Sequence, residues 1–310
     1  MKKHILIGLS ILIGTATFCN AQQIPHHSQY MFNDFFINPA VAGTKSYQPI
    51  MVTARNQWVG LSDAPTTQTM SFHGSWINNM GLGLILANDV TGPARQTGLQ
   101  LAYSYHILLK DEIYLSLGLS GSVTQHILNK STIDLDDPND NALLTGNDET
   151  IVPDASFGVY CYGKQFYFGI AAPQLFESKV DFNTSDQLES NRLTRHYFMH
   201  AGYKFKTGDD IEIEPSLLIK GIKNAPFQFD INTKVIVKEF AWLGCSYRNM
   251  ESIVALLGLE YKDIALGYSY DFTLTGIKKY STGSHELFLA YLLPYKNNPV
   301  DKEKRKGLMN

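Results

Sequence analysis

Connections between the apolar runs of this chain fall into two alternating classes, and that alternation limits the possible folds more than any single motif does. Asn78-Asn79, Lys110-Asp111, Gly163-Lys164, Thr207-Gly208 and Lys262-Asp263 form tight turns at one set of junctions. Ile127 to Val152, Gln174 to Leu193 and Thr273 to Thr282 all occupy the other set, where connections run long. An up-and-down antiparallel sheet acquires this parity when its two rims face different compartments.

The apolar runs carry the period of a sheet. In Glu112 to Gln125, Ile113, Leu115, Leu117 and Leu119 point one way while Tyr114, Ser116, Gly118 and Ser120 point the other. The same alternation places Leu82, Leu84 and Leu86 on one face, and likewise Leu99, Leu101, Tyr103, Tyr105 and Ile107. It recurs in Phe157, Val159 and Cys161, in Phe166, Phe168 and Ile170, and in Ile264, Leu266, Tyr268 and Tyr270. An apolar face suits lipid and a small polar face suits a lumen, with repeated Gly and Ser easing the curvature of the wall. Strands are expected near 50–58, 65–76, 80–89, 96–108, 112–126, 153–162, 164–173, 194–206, 209–221, 225–236, 239–248, 250–261, 263–271 and 283–294. The expected fold is therefore all-β, a transmembrane antiparallel up-and-down β-barrel of about fourteen strands, even in number as single-chain bacterial barrels require. A soluble sandwich is disfavoured, because so many long strands without edge protection would aggregate.

Composition narrows the function. The chain has 310 residues and formal net charge -3, which provides no basic footprint for nucleic acid. Charged residues make up 18% and aromatics 12%, a mix that fits strands with one face in lipid. Residues 1–21 read as a secretory signal peptide: Lys2 and Lys3 lead, Ile5 to Phe18 is uncharged, and Cys19-Asn20-Ala21 offers a cleavage site before Gln22. The bulk of Phe18 argues against a lipobox at Cys19. No later run reaches the roughly 20 apolar residues of a membrane helix. Cys161 and Cys245 fall in separate expected strands, too far apart in strand order for a disulfide.

Charges within strands test the barrel, since Lys or Arg facing lipid at mid-height costs roughly 2–4 kcal/mol. Glu212, Glu214 and Lys220 share a parity opposite to Ile211, Ile213 and Ile219, and Asp230 and Lys234 oppose Phe227, Phe229 and Ile231. A turn centred on Lys223 would set Glu212 across from Lys234 and Glu214 across from Asn232. Glu212, Glu214, Asp230, Asn232 and Lys234 are thus expected to form a polar stripe on the lumen wall, lost by any register shift of one residue.

Several words stand in order along the first third of the chain: Ser28-Gln29-Tyr30-Met31-Phe32-Asn33, Ile37-Asn38-Pro39-Ala40-Val41-Ala42-Gly43, Gln57-Trp58-Val59-Gly60, Ala64-Pro65-Thr66-Thr67-Gln68, Met80-Gly81-Leu82-Gly83 and Asn88-Asp89-Val90-Thr91-Gly92-Pro93. Pro39 lacks a backbone donor and Gly43 permits a sharp turn, so Gln29 to Gly43 is not a wall strand and is expected to fold into the lumen or under the periplasmic rim. Tyr30, Phe32, Phe35 and Phe36 would be its packing anchors. In order and spacing these words resemble the PorP/SprF family of Bacteroidetes outer-membrane proteins, associated with type IX secretion and gliding motility. The strand pattern and the closing His285 to Pro294 strand extend the resemblance over nearly the whole mature chain.

The resemblance implies a non-enzymatic outer-membrane barrel that supports secretion or cell-surface anchoring of a type IX cargo protein through its C-terminal domain. The implied partners are that cargo at the outer face, an envelope-anchored or peptidoglycan-associated protein in the periplasm, and outer-membrane lipid. Two readings of these words stay open. They build a structural plug, or Tyr30, Phe32, Asn33, Asn38, Pro39, Gly43, Gln57, Trp58, Pro65, Thr66, Thr67 and Gln68 contact cargo or partner directly. The competing function is a diffusion porin for small solutes, with Glu212, Glu214, Asp230 and Lys234 as its eyelet.

No cofactor, metal or catalytic group is expected. The acidic run Asp134, Asp136, Asp137, Asn139, Asp140 and Asn141 lacks the Gly and final Glu of a calcium loop, and His26-His27 has no partner at zinc spacing. Ser71 with His73 and Ser104 with His106 repeat a Ser/His pair, but a two-residue offset is common in a polar lumen. The expected organisation is signal peptide 1–21, N-terminal segment 22–49, barrel 50–295 and a charged periplasmic tail 296–310 that contains Asp301 to Lys306.

Overall fold

In the computed structural model, residues 24–25, 27–132, 147–182, 192–223, 225–238 and 240–295 are described. The signal segment, the acidic run from Asp134 to Asn141 and the charged tail lie outside the described residues. The wall begins with β1 (Tyr47–Asn56), β2 (Thr66–Ile77), β3 (Met80–Thr91), β4 (Ala94–Lys110) and β5 (Ile113–Asn129). It continues through β6 (Asn147–Tyr162), β7 (Phe166–Ala172), β8 (His196–Tyr203), β9 (Phe205–Thr207) and β10 (Ile211–Ile222). It ends with β11 (Gln228–Val237), β12 (Ala241–Arg248), β13 (Ser252–Tyr261), β14 (Ile264–Thr273) and β15 (Ser284–Pro294).

Apart from β9, each strand pairs antiparallel with the next in sequence, β8 pairing directly with β10, and β15 pairs with β1, with Glu286 opposite Arg55. The three residues of β9 continue β8 beyond Lys204 and pair with the start of β10, so the closed barrel counts 14 strands with one extra segment. Closure removes every strand edge that lipid would otherwise leave without hydrogen bonds.

Alternation sets the two faces as the sequence implies. Leu101, Leu119 and Leu289 are 58%, 56% and 52% exposed on the outside, while Ser104, Ser116 and Ser269 are fully buried inside. The tight turns lie together on one rim, and the connections after β5, β7 and β14 lie on the other, which the turn-length rule makes the outer rim. Not every outer connection is long, since only Gly92 and Pro93 separate β3 from β4.

The β10–β11 register corrects the expectation. Glu214 lies across from Lys234 and Ser216 across from Asn232, while Glu212 faces Ile236. Pro226 has no N–H to donate, so the ladder starts only at Gln228, which pairs with Lys220. The resulting offset is two residues, so every side chain keeps its face, and Glu212, Glu214, Asp230, Asn232 and Lys234 are all buried inside.

A barrel of this circumference is wider than its own wall side chains can fill. The chain before β1 occupies the space. It forms three short 3-10 turns, Tyr30–Phe32, Asp34–Phe36 and Pro39–Val41, and runs from the level of the outer strand ends near Ser28 down to Gly43 at the tight-turn rim, just before it enters β1.

Candidate functional site

The site is the contact between this N-terminal segment and the inner wall. The segment is apolar enough to be core: Tyr30, Met31, Phe32, Phe35, Ile37, Ala40 and Val41 are all buried. Phe32 packs 4.8 Å from Trp242 and 5.3 Å from Phe288, ring centre to ring centre, with the Lys234 ammonium 4.6 Å above its own ring. Burial of each such side chain contributes about 1.5–3 kcal/mol.

The upper end is held by charge. The Ser28 and Gln29 backbone N–H groups donate to the two oxygens of Glu286 at 2.8 and 2.9 Å, and Ser28 Oγ donates to Asp271. Arg55 binds both carboxylates, at 2.7 Å to Asp271 and 3.2 Å to Glu286. Arg248 extends the lattice to Asp230 and Glu251, each at 3.1 Å, and to Asp271 at 3.5 Å. Arg55, Arg248, Asp271 and Glu286 are almost completely buried, so the pairing offsets a large desolvation cost. Asn232 donates to the Tyr30 hydroxyl.

The lower end is held by close approach. Asn38 caps the turn Pro39–Val41, accepting from Ala40 N at 3.0 Å, while its Nδ2 donates to the Val159 carbonyl at 3.0 Å. Ser116 Oγ donates to the Ala40 carbonyl at 2.7 Å and Ser104 Oγ to the Ala42 carbonyl at 2.6 Å. The wall is glycine where the segment touches it. A Cβ on Gly118 would fall on the Ala40 backbone, one on Gly81 on the Ala42 carbonyl, and one on Gly158 on the Asn38 side chain. Gly43 adopts φ 74 to turn the chain toward β1, a conformation glycine takes without strain.

Between the ends, Asp34 accepts from the Tyr160 hydroxyl at 2.9 Å and lies 3.8 Å from Lys45. Burial alone would raise the Asp34 carboxyl, but Lys45, His200, Tyr160 and His73 together outweigh it and hold it below the usual carboxylate range.

The sequence-derived contact residues divide between two places. Tyr30, Phe32, Asn38 and Pro39 are buried in the lumen, and Asn33, half-buried, donates to Ser71 Oγ at 2.8 Å. Gln57, Trp58, Pro65 and Thr66 sit at the outer rim, where Trp58 N donates to Ser284 Oγ at 3.0 Å. Thr67 faces inward and bonds Asp89, while Gln68 faces outward and is exposed. In the polar stripe, Lys234 pairs with Glu214 at 3.1 Å beneath the segment, which leaves these two charges engaged rather than lining an open eyelet.

Sequence reasoning missed Arg55, Arg248, Asp271 and Glu286, although their inward parity within strands was a usable signal. It also assigned the inner-face Gly and Ser to curvature, whereas Gly81, Gly118, Gly158, Ser104 and Ser116 seat the segment. The Ser104 and His106 pair does form, with Ser104 Oγ 3.1 Å from His106 Nε2. That hydroxyl is fully buried and bound to the Ala42 carbonyl, so no substrate reaches it. Among the described residues no group of His, Cys, Asp and Glu could hold a metal ion.

The pattern of the type IX secretion system membrane protein PorP/SprF family matches residues 19–291. The chain belongs to that family. The match takes in both the N-terminal segment and the wall. No curated protein matches the chain. Solved structures similar to it include the toluene transporter TbuX of Ralstonia pickettii, with TM-score 0.49 and 10% identity over 87% of this chain and 94% of that one. The outer-membrane protein Omp33 of Acinetobacter baumannii has TM-score 0.45 and 8% identity over 80% of this chain and 98% of that one. The translocator domain of autotransporter NalP from Neisseria meningitidis has TM-score 0.43 and 10% identity over 80% and 89%. The PorP/SprF chain is an outer-membrane β-barrel and a membrane component of type IX secretion.

Proposed function

We propose that the barrel retains a secreted type IX cargo protein at its outer mouth, gripping the cargo's C-terminal domain, and that it works without enzymatic chemistry of its own. One observation carries this reading: the lumen is filled by the chain's own N-terminal segment, bound along its length to opposite walls. A porin needs an open water path, whereas a holding device needs a rigid cup with a closed floor. The outer rim supplies the cup's lip, where Gln57, Trp58, Pro65 and Thr66 are accessible to a cargo. Tyr30, Phe32, Asn33, Asn38, Pro39 and Gly43 act from below, by keeping the floor in place. At the opposite rim the tight turns present Lys110, Asp111, Glu112, Lys164 and Lys262 to an envelope-anchored periplasmic partner.

Affinity purification from native outer membrane in mild detergent tests this reading. A secreted protein should co-purify and should be lost when its C-terminal domain is deleted. Recovery of the barrel free of any secreted protein, under conditions that preserve the periplasmic partner, would contradict retention.

A further inference from the structure

The wall is not level at the outer mouth. β4, β5 and β6 run 17, 17 and 16 residues, against 7 in β7 and 8 in β8. A strand needs about 9–11 residues to cross a bilayer, so the sheet of β4, β5 and β6 stands clear of lipid on the outer side. Leu99, Val123 and Pro153 form one outward row across these strands, and the rows above it carry Thr97, Gln125, Arg95 and Glu149.

β7 accompanies β6 only from Phe157 to Tyr162, which leaves the outer half of β6 as a sheet edge. Its odd-numbered residues turn their main-chain groups toward that edge. The Ala155 carbonyl accepts from Leu175 N at 2.9 Å and the Pro153 carbonyl from Ser178 Oγ at 2.7 Å, both donors lying in the connection after β7. The even-numbered residues turn toward β5. Past Ser178 that connection pairs with itself, Lys179 against Arg192. Among the described residues nothing answers the main-chain groups of Ile151, Glu149 and Asn147 on this side. The β5–β6 register is unbroken up to Asn129 and Asn147, so the edge is regular, and Pro153, lacking an N–H, blunts only its lower end.

Lipid cannot fill such an edge, because its tails offer no hydrogen bonds. A second copy in the same membrane cannot fill it either. The symmetry axis would lie along the membrane normal, so the two β6 strands would run the same way with crossed tilts, and no antiparallel ladder could form. A chain arriving from the outer medium can. Ile151 is 66% exposed, and Glu149, also exposed, accepts from Gln125 Nε2 at 3.2 Å. Antiparallel partners share a face, so an incoming strand would meet Ile151 with an apolar residue and, two residues later, Glu149 with a basic one.

We propose that the outer half of β6 takes an extended segment of a secreted protein as an added antiparallel strand, with the pattern apolar-x-basic opposite Ile151 and Glu149. That this protein is the retained cargo rests on the holding function proposed above, whereas the pairing edge does not.

Hydrogen exchange of the full-length barrel in lipid nanodiscs, resolved by residue through electron-transfer fragmentation, tests the edge. In the barrel alone the Glu149 and Ile151 amides should exchange about a hundredfold faster than those of Thr150 and Val152, which face β5. Equal protection would mean an edge already covered and would overturn the proposal. Saturating acetyl-Thr-Val-Thr-Lys-Thr-amide should slow Glu149 and Ile151 about tenfold or more, and the same peptide N-methylated at Val and Lys should not. Glu149→Lys should reverse the preference, favouring the peptide with Glu in place of Lys. No slowing, or equal slowing by the N-methylated peptide, would overturn the proposal. In native outer membrane, Ile151→Pro, which removes one edge N–H, and Glu149→Lys should each lose the co-purifying secreted protein while keeping the heat-modifiable migration of a folded barrel. Unchanged retention by both variants would overturn the proposal and leave the holding function standing. Peptide protection without any secreted protein on the unaltered barrel would uphold the edge and end the holding function.

Discussion

On the side of β1, β14 and β15 the N-terminal segment is held by carboxylates and guanidinium groups; on the side of β4, β5 and β6 it is held by backbone pressed against glycine and serine. The first contact tolerates shape changes but not the loss of a charge. The second tolerates charge changes at a distance but not the addition of a methyl group. A segment fixed by two such different contacts cannot be freed by one change of condition: salt screens buried pairs poorly, and no ionic condition loosens a steric seat.

The largest effect should come from the charged side. Replacement of Arg55 by Met leaves Asp271 and Glu286 buried beside Ser28 with less compensation, and should cost about 3–5 kcal/mol in urea unfolding followed by tryptophan fluorescence. On the steric side, Gly118→Val places a branched side chain on the Ala40 backbone and should cost about 3 kcal/mol, with the segment becoming protease-sensitive. If Gly118→Val proved neutral, the seat would not be a seat. Asn38→Ala removes the cap on Ala40 N and the bond to Val159, for about 1–3 kcal/mol, read as faster cleavage of the segment in folded barrels.

The smallest effect concerns acid. Because Asp34 is held below the usual carboxylate range in the folded barrel, its contribution is complete above that range and is lost as pH falls through the depressed value. Lys45, Tyr160, His73 and His200 face it, and Asp34→Asn should remove this part of the acid sensitivity without removing the remainder.

Most of the wall was legible because each strand is read by lipid on one side and lumen on the other, which forces period two on the sequence. Even Glu212, Glu214 and Lys234 could be assigned a face, while the two-residue offset of their ladder depended on where pairing resumes after Pro226. Pro39 and Gly43 marked the segment as something other than a strand. What it touches was illegible, since its partners lie far along the chain: Ser28 meets Glu286 across 258 residues, and Ser116 meets Ala40 across 76. A glycine that eases curvature and one that seats a backbone look identical in sequence, and only the arrival of Ala40 at Gly118 separates them.

The central claim is that the segment from Ser28 to Gly43 closes the lumen. Planar-bilayer conductance of the purified barrel measures this directly. The unaltered protein should insert and remain silent, and the Gly118→Val variant, with its segment displaced, should show open-channel steps. Steady open-channel current from the unaltered protein would contradict the account.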